Sequence, residues 1–407
     1  MRCKFRGIPI WIVSHKTEYG HFDPEKFLLR DVASEWMERN GFFDKSVFAL
    51  NRENVIFEST RKEKVRRINE LGLTHFVDDL IEVLTHSEFP DSTRPLLFNA
   101  NYGKKTEISN HISWQSIAKE LFGEVNEEEM LWIAQTLLED EITECIRIRG
   151  KGNSLLYRLS LSGGRSVVLK AYTDLVTDRQ DRLEAEFSAC RFLSDSGRRF
   201  APATIAKSSC LNIGVYEWIE GDPVLAPGRE DIRQALDFVR YLQFMGKQNG
   251  AAKLGAASAA CFSVAEIEEQ IEHRVVRFEE GKKNYPELRE FLDGPFAEIK
   301  AKVQKYIVSF KKLDFYCRPL PREYQILSPS DFGFHNALRQ REKKLIFLDF
   351  EYFGWDDPAK LVCDFLWHPG MELCEDLKHR WVHECREIFA HDITLRQRIV
   401  CSWPLYG

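Results

Sequence analysis

The feature of this sequence that most constrains its fold is a change in hydrophobic period near Cys145. Residues 111 to 144 have the apolar spacing of helices, whereas apolar residues then recur at every second position from Leu155 to Leu161. A Ser-Gly-Gly-Arg segment at positions 162 to 165 separates this run from a second apolar run, Val167 to Leu169. A short glycine turn between alternating runs is typical of a hairpin. The sequence therefore predicts a small antiparallel sheet here.

The first hundred residues have a different pattern, in which short apolar runs alternate with helical segments. Strands separated by helices predict an α/β domain with a parallel sheet. A polar, turn-rich segment at positions 99 to 107 is the natural end of this domain. We therefore assign residues 1–105 to the amino-terminal domain and 106–144 to a helical connector. Beyond Asp231 the pattern is largely helical, with loop and strand signals near residues 327 to 350.

Composition excludes several classes of protein. The formal net charge of -6 comes from interspersed acidic and basic residues, so no nucleic-acid partner is expected. The apolar run from Ile8 to Val13 is too short for a signal peptide, and no run approaches the roughly 20 apolar residues of a membrane span. The ten cysteines are scattered, as in a protein with reduced thiols. We expect a soluble, cytoplasmic protein that binds no membrane.

The segment with the strongest chemical signal is ILSPSDFGFHNALRQREKKLIFLDFEYFGWDDP. In it Asp331 precedes Asn336 by five residues, and Asp349 ends an apolar strand. Phosphoryl transfer needs one carboxylate to orient the attacking hydroxyl, and an amide oxygen with a second carboxylate to hold magnesium. This segment resembles the catalytic and metal motifs of the aminoglycoside phosphotransferase and choline kinase superfamily, which is itself similar to protein kinases. The resemblance implies that Asp331 is the catalytic base and that Asn336 and Asp349 bind Mg²⁺.

Upstream segments extend the resemblance over roughly 260 residues. Lys170, at the end of VVLK, matches the lysine that binds the α and β phosphates of ATP, and Glu186 matches the helical glutamate that pairs with it. Glu184 is the alternative partner. The segment RGKGNS resembles the loop that covers the nucleotide, and IGVYEWIEG resembles the strand and hinge that bind adenine. The nucleotide-binding residues implied by these two segments are Gly150, Gly152, Asn153, Ser154, Glu217, Trp218 and Ile219.

The resemblance implies a bilobal α+β kinase domain, with a smaller lobe at 145–221 and a mostly helical lobe at 222–407. The family usually has His two residues before the catalytic Asp, and this chain has Pro329 there. We interpret Asp364 as structural, and His335 as a packed or solvent-facing loop histidine. The acceptor is expected among helices between positions 222 and 319, where clustered acids could attract a cation, although a solvated helix face is the plainer interpretation.

The first 98 residues resemble a haloacid dehalogenase-like domain. Ser14 matches its phosphate-contacting hydroxyl, Lys64 its cationic residue, and Asp78 and Asp79 its acidic magnesium motif. The nucleophilic Asp-x-Asp motif should precede Ser14, and no Asp is present there. Hydrolysis through an aspartyl-phosphate then has no first step. We predict a degenerate domain with a structural or partner-binding role, unless a missing amino terminus carried the motif.

Three functions follow, in order of preference. The first is ATP- and Mg²⁺-dependent transfer of phosphate to a hydroxyl of a small molecule, with a sugar or amino alcohol as the class that the superfamily implies. The second is a nucleotide-binding scaffold without activity, which Pro329 and the incomplete amino-terminal domain would suit. The third is a phosphatase of the haloacid dehalogenase type. The sequence does not determine the acceptor or the oligomeric state.

Overall fold

The protein divides into two units, Met1–Thr143 and Glu144–Gly407, in a computed structural model. The structure describes residues 2–20, 27–44, 50–99, 107–148, 154–172, 181–194, 197–209 and 211–406. It is a mixed α/β protein with several sheets. Every helix among these residues is too short or too polar to traverse a lipid bilayer.

The first unit alternates strands and helices, as predicted. Its strands pair in parallel, but they form a two-stranded sheet, β1-β2, and a separate three-stranded sheet, β3-β4-β5, where the sequence predicted one. The elements are α1 (Arg2–Phe5), β1 (Ile12–His15), α2 (Leu29–Arg39), β2 (Val55–Glu58), α3 (Arg61–Glu70), β3 (His75–Asp78), α4 (Ile81–Leu84), β4 (Arg94–Phe98), β5 (Ser109–His111), α5 (Trp114–Phe122) and α6 (Glu127–Leu138).

Helix α3 shows how local sequence and packing combine in this unit. Thr60 caps its amino terminus, and Glu63 completes a capping box, which satisfies backbone N–H groups that the first turn leaves unpaired. Val65 and Ile68 lie on one face of the helix because they are three residues apart, and both are fully buried. The core that they enter contains Val13, Phe76, Val83, Leu84 and Leu97.

The segment predicted as a helical connector lies within the first unit. Its helices α5 and α6 are present, but it begins with strand β5, which pairs with β4. Arg2 of α1 donates to Glu129 of α6 at 2.7 Å, and both side chains are buried. A three-residue strand is too short to produce a readable period, so the sequence analysis took it as helix.

The second unit opens with the predicted antiparallel sheet, extended to five strands in the order β6-β7-β8-β10-β9. Strands β7 and β8 form the hairpin around the Gly163-Gly164 turn, and β10 pairs antiparallel with β8 and β9. The elements are β6 (Ile142–Ile148), β7 (Leu155–Leu161), β8 (Ser166–Ala171), α7 (Arg182–Ser194), β9 (Thr204–Ser208) and β10 (Ile213–Glu217).

The rest of the second unit is mostly helical, with two small sheets, β11-β13-β14 and β12-β15. Its elements are β11 (Asp222–Pro223), α8 (Arg229–Met245), α9 (Val264–Gly281), α10 (Pro286–Phe291), α11 (Ala297–Ile307), α12 (Asp314–Cys317), β12 (Ile326–Ser328), β13 (Ala337–Arg339), β14 (Leu345–Phe347), β15 (Gly354–Asp356), α13 (Pro358–Trp367), α14 (Glu375–Ile388) and α15 (Leu395–Tyr406).

A buried aromatic core fixes the loop between β12 and β13. Phe238 of α8 stacks on Phe347 with ring centroids 4.7 Å apart, and Phe332 packs against Phe347 at 5.2 Å. Phe365 of α13 stacks on Trp381 of α14 at 3.8 Å. Because Phe332 lies in this core, its loop neighbours are held at a fixed place beside it.

Candidate functional site

The Asp331 loop follows β12 through a strained turn. The N–H of Asp331 donates to the carbonyl of Pro329 at 2.9 Å, and Ser330 between them has a φ of 69°. This is the less common, higher-energy form of the γ-turn. The N–H of Ser330 donates to Oγ of Ser328 at 3.1 Å, which supports the turn from the end of the strand. Strain of this kind persists where the surroundings enforce it, often at functional sites.

Asn336 connects this loop to the segment that carries Asp349. Its Nδ2 donates to the carbonyl of Asp331 at 3.0 Å and to Asp331 Oδ2 at 3.2 Å. The N–H of Leu348, directly before Asp349, donates to the Asn336 carbonyl at 2.8 Å. With Nδ2 committed to Asp331, Oδ1 is the side-chain atom of Asn336 that can coordinate a cation.

Asp349 follows β14 with a φ of 64°, in the left-handed region that residues with a Cβ seldom adopt. Its Oδ1 accepts from Lys170 Nζ at 2.7 Å. The strained backbone thus turns this carboxylate toward a lysine 179 residues away in the sequence.

Lys170 and Glu186 form the predicted ion pair, with Nζ and Oε2 at 2.7 Å. Each side chain is 8% exposed, so the pair is buried. The hydroxyl of Tyr172 donates to the same glutamate oxygen at 2.8 Å, and Tyr216 contacts that hydroxyl at 2.7 Å. Glu184, the alternative partner, pairs instead with Lys207 at the surface.

Glu351 is a third carboxylate on Lys170, at 3.0 Å, and the sequence analysis did not identify it. It also accepts from Arg182 Nη1 at 3.2 Å and from Ser154 Oγ at 3.3 Å. The sequence feature that could have indicated Glu351 is its position two residues after Asp349. Glu351 therefore joins the end of the predicted nucleotide loop to the lysine and to α7.

The charges around Lys170 perturb one another. Burial by itself lowers the pKa of the Lys170 ammonium, but the three carboxylates, Glu186 first, outweigh it and the pKa is raised. Burial raises the pKa of Asp349 to about 6; Lys170 opposes this rise, while Glu186 and Glu351 add to it. Crowded carboxylates of this kind are the environment that a divalent cation stabilises.

The donor set fits magnesium. Oxygens of Glu186, Asp349 and Glu351 lie within 4.8 Å of one another. All three carboxylates also contact Lys170 Nζ, and their ligand atoms are hard oxygens of the kind that Mg²⁺ prefers. The residues present therefore suit the group that the sequence resemblance implied.

Asp331 itself is held by two histidines. His335 Nε2 lies 3.0 Å from Asp331 Oδ1, and His368 Nε2 lies 3.2 Å from the same oxygen. Burial alone would raise the pKa of Asp331, but the hydrogen bond and charge of His335 and the other neighbours lower it. His335 is a packed loop histidine, one of the two interpretations that the sequence allowed, because its ring stacks on that of His368 with centroids 3.7 Å apart. The contacts of both rings with the proposed base were not predicted from the sequence.

The segment Asp357-Pro358 forms the start of α13. Asp357 caps α13 by accepting from the N–H of Ala359 at 2.7 Å. Lys360 pairs with Asp364 and lies 3.6 Å from the fully buried Asp356, whose pKa burial raises to about 7. The contact of Asp364 with Lys360 lies within α13, and a role in bracing the Asp331 loop stays a prediction.

The remaining kinase residues are placed as follows. Gly150, Gly152 and Asn153 lie outside the described residues. Glu217 ends β10 and pairs with Arg199, and Ile219 is buried. Trp218 donates from its indole to Glu220 at 2.7 Å. The hinge segment therefore follows directly from the strand that pairs with the Lys170 strand.

The acids that could attract a cationic acceptor have structural partners. Glu268 accepts from Lys311 at 2.8 Å and from the hydroxyl of Tyr316 at 2.8 Å. Glu266 accepts from the N–H of Phe262 at 2.7 Å, at the start of α9. Glu266 and Glu268 are thus half-buried and held by protein partners, so a solvated helix face does not describe them.

In the first unit, two of the four predicted residues come together. Lys64 of α3 and Asp78 of β3 form a buried ion pair. Asp79 is exposed, and Ser14 lies on β1 opposite Phe57 of β2. The ammonium of Lys64 is thus paired with the carboxylate of Asp78.

No family model and no curated protein sequence matches the chain. Among solved structures it is similar to the AMP-bound complex of spectinomycin phosphotransferase APH(9)-Ia, with 14% identity over 69% of this chain and 85% of that chain, and a TM-score of 0.49. A choline kinase from Cryptosporidium parvum Iowa II has 12% identity over 69% and 86%, with a TM-score of 0.46. The ADP-bound aminoglycoside phosphotransferase APH(2'')-Ib has 14% identity over 69% and 91%, with a TM-score of 0.46.

Phosphotransferases and kinases of these types are what the kinase motifs of the sequence resemble. The haloacid dehalogenase-like resemblance of the first unit is not confirmed by these neighbours and stays a prediction. The function proposed below rests on the side-chain geometry of the site.

Proposed function

We propose that this protein is a small-molecule kinase that transfers the γ-phosphate of ATP to a hydroxyl group. The observation that carries the proposal is the chain of contacts from Glu186 through Lys170 to Asp349, and from the segment before Asp349 through Asn336 to Asp331. These residues are distant in sequence and serve one reaction. A structural ion pair needs only Lys170 and its carboxylates, and it does not account for the half-buried Asp331 held beside the Asn336 amide.

Each residue has a role in the proposed reaction. Lys170, oriented by Glu186, binds phosphate oxygens of the nucleotide. Asn336 and Asp349 would hold magnesium, which supplies neutralisation of phosphate charge when it is bound. Asp331 accepts a hydrogen bond from the acceptor hydroxyl. This bond orients the hydroxyl oxygen toward the γ-phosphorus. As the new P–O bond forms and the bond to the β-phosphate oxygen breaks, the hydroxyl proton passes to Asp331.

The acceptor class follows from the superfamily that the motifs resemble, in which sugars and amino alcohols are phosphorylated. The proposed base needs only a hydroxyl within hydrogen-bonding distance. The bilobal kinase domain and its nucleotide loop at residues 149–154 are part of the same proposal. For the first unit we propose a structural role without phosphatase activity, since Lys64 is already neutralised by Asp78.

The test is a coupled ADP-release assay with a panel of sugars and amino alcohols. We expect Asp331→Asn to lower kcat by about 10² to 10⁴ while the affinity for Mg·ADP, measured by calorimetry, stays nearly constant. Asp314→Asn, an exposed aspartate on α12, is the matched control and should behave as wild type. Equal turnover by wild type and Asp331→Asn would refute the assignment.

Two other outcomes would support the alternatives. Tight binding of Mg·ATP without transfer to any acceptor would favour a nucleotide-binding scaffold. Hydrolysis of a generic phosphate ester that is lost in Asp79→Asn and retained in Asp331→Asn would favour a phosphatase in the first unit.

A further inference from the structure

The unusual feature of the site is that two imidazole rings lie beside one carboxylate oxygen. His335 Nε2 and His368 Nε2 lie 3.0 and 3.2 Å from Asp331 Oδ1. His335 comes from the Asp331 loop, and His368 follows the end of α13, so two separate segments converge. Pro329, two residues before Asp331, has no side-chain donor that could hold the carboxylate from that side.

The hydrogen bonds of His368 determine which of its nitrogens carries the proton. Its Nδ1 accepts from the N–H of Gly370 at 3.0 Å. A nitrogen that accepts a hydrogen bond has no proton, so the proton of the neutral ring is on Nε2. His368 Nε2 lies 3.2 Å from Asp331 Oδ1, as a close polar contact. The backbone of Gly370 therefore holds the ring of His368 beside the carboxylate.

His335 makes the hydrogen bond to the carboxylate, between Nε2 and Asp331 Oδ1 at 3.0 Å. Its Nδ1 is buried and has no hydrogen-bond partner in the part of the chain that the structure describes. A ring protonated on Nδ1 alone would bury that N–H without an acceptor and turn the lone pair of Nε2 toward the carboxylate. His335 thus donates from Nε2 to Oδ1.

A metal ion held by the same three residues is a different interpretation, and the geometry argues against it. The two rings are parallel, with an interplanar angle of 3° and centroids 3.7 Å apart. A metal lies close to the plane of each imidazole that binds it, and two parallel planes at this separation have no point in common. The N–H of Gly370 also occupies His368 Nδ1, where a metal-bound imidazole would carry its proton.

Glycines make room for the stacked rings. A Cβ on Gly333 would lie 2.6 Å from His335 Nδ1, closer than real contacts allow. A Cβ on Gly370 would lie 3.0 Å from His368 Nδ1 and 3.2 Å from the Cβ of His335. The backbone around both rings therefore has space only for hydrogen atoms at these positions.

We propose that His335 and His368 are positioning residues that hold Oδ1 of Asp331 and so turn Oδ2 toward the acceptor hydroxyl. The proposal rests on the kinase function proposed above. His335 donates to Oδ1 and His368 contacts the same atom, whereas Oδ2 has one donor among the described residues, Asn336 Nδ2 at 3.2 Å, and keeps a lone pair for the substrate.

The kinetic test compares His335→Phe with His335→Gln. Phenylalanine keeps a flat ring without a donor, whereas the glutamine amide can place an N–H near the position of Nε2. We expect His335→Phe to lower kcat about 10- to 100-fold with little change in the KM for ATP, because a misplaced base slows only the chemical step. His335→Gln should recover most of the activity. His379→Phe, at an exposed histidine on α14, is the matched control.

Unchanged kcat in His335→Phe would overturn the proposal, and so would a His335→Gln variant as slow as His335→Phe. A rise in the KM for ATP at constant kcat would also overturn it, since that is the signature of a nucleotide-binding role. Loss of activity through misfolding would lower the amplitude of nucleotide binding in calorimetry, which the positioning role does not.

A second measurement does not depend on turnover. Nitrogen-15 NMR should show the Nε2 signals of His335 and His368 shifted between wild type and Asp331→Asn, with that of His379 unchanged. An unshifted Nε2 signal of His335 would overturn the proposal. If the wild type transfers no phosphate, the proposed function fails, while this spectrum still decides whether the two rings hold the carboxylate.

Discussion

Replacement of Arg398 by methionine should be among the most destabilising single changes in the second unit. The guanidinium on α15 is 2% exposed and donates to Asp357 at 2.8 and 2.9 Å and to Asp392 at 2.8 and 3.2 Å. Both carboxylates are also buried, at 4% and 3% exposure. Methionine fills part of the volume and leaves two buried carboxylates without their cation.

The magnitude follows from what each carboxylate retains. Asp357 keeps the N–H of Ala359 at 2.7 Å, and Asp392 keeps the N–H and hydroxyl of Thr394 at 3.0 and 2.9 Å. Removing one partner of a buried ion pair costs about 3 to 5 kcal/mol of unfolding free energy. We expect Arg398→Met to fall in that range, because the remaining donors prevent the two losses from adding in full.

The loss should depend on pH. Burial alone would raise the pKa of Asp392, but its hydrogen bonds and charge pairing with Arg398 lower it. A carboxyl with a lowered folded-state pKa contributes stability above the usual pKa of about 4, and this contribution disappears as pH falls through the lowered value. The difference in unfolding free energy between wild type and Arg398→Met should therefore be widest near neutral pH and narrow in acid.

The assay is urea unfolding followed by tryptophan fluorescence, repeated from neutral to acidic pH. Arg396→Met is the matched control, since Arg396 is exposed on the same helix and should change stability by no more than about 0.5 kcal/mol. Equal stability of the two variants at neutral pH would refute the reasoning, because it would mean that the buried carboxylates do not need Arg398.

Two further predictions concern Lys170 in the site and the backbone packing at Gly354. Lys170→Met should abolish turnover and weaken Mg·ATP binding in calorimetry, since Lys170 is the ammonium proposed to bind the phosphates; unchanged affinity would contradict that role. Gly354→Ala should destabilise the fold by several times more than Gly163→Ala, because its Cβ would clash with the backbone at Ala257 while Gly163 faces open space. Thermal unfolding measures the difference, and equal melting temperatures would contradict the packing described here.

Local sequence features anticipated a large share of the fold. The alternation from Leu155 to Leu161 predicts a strand because side chains on a strand point alternately to two faces, and β7 spans those residues. The capping box at Thr60 marks the start of α3 in the same direct way. The sequence analysis treated the first unit as one sheet, because a period of two or 3.6 residues reports an element and not its partner strand.

Part of the site could also be predicted from local sequence. Asp331, Asn336 and Asp349 lie within one segment of fixed spacing, so their chemistry can be read together. Glu351 and His368 are ordinary residues in the sequence, a glutamate after an aromatic residue and a histidine at a helix end. Their contacts with Lys170 and Asp331 arise from tertiary packing, which no local pattern reports.

The sequence by itself determined the types of group and their order: a lysine on one strand, a glutamate on the next helix, and an Asp, Asn and Asp within one later segment. Tertiary structure decided their partners. It placed three carboxylates on Lys170 and two imidazoles on Asp331, because long-range contacts depend on how helices and strands pack. Local periodicity contains no information on distances across the core, and the strained backbone at Ser330 and Asp349 is stable only within that packed frame.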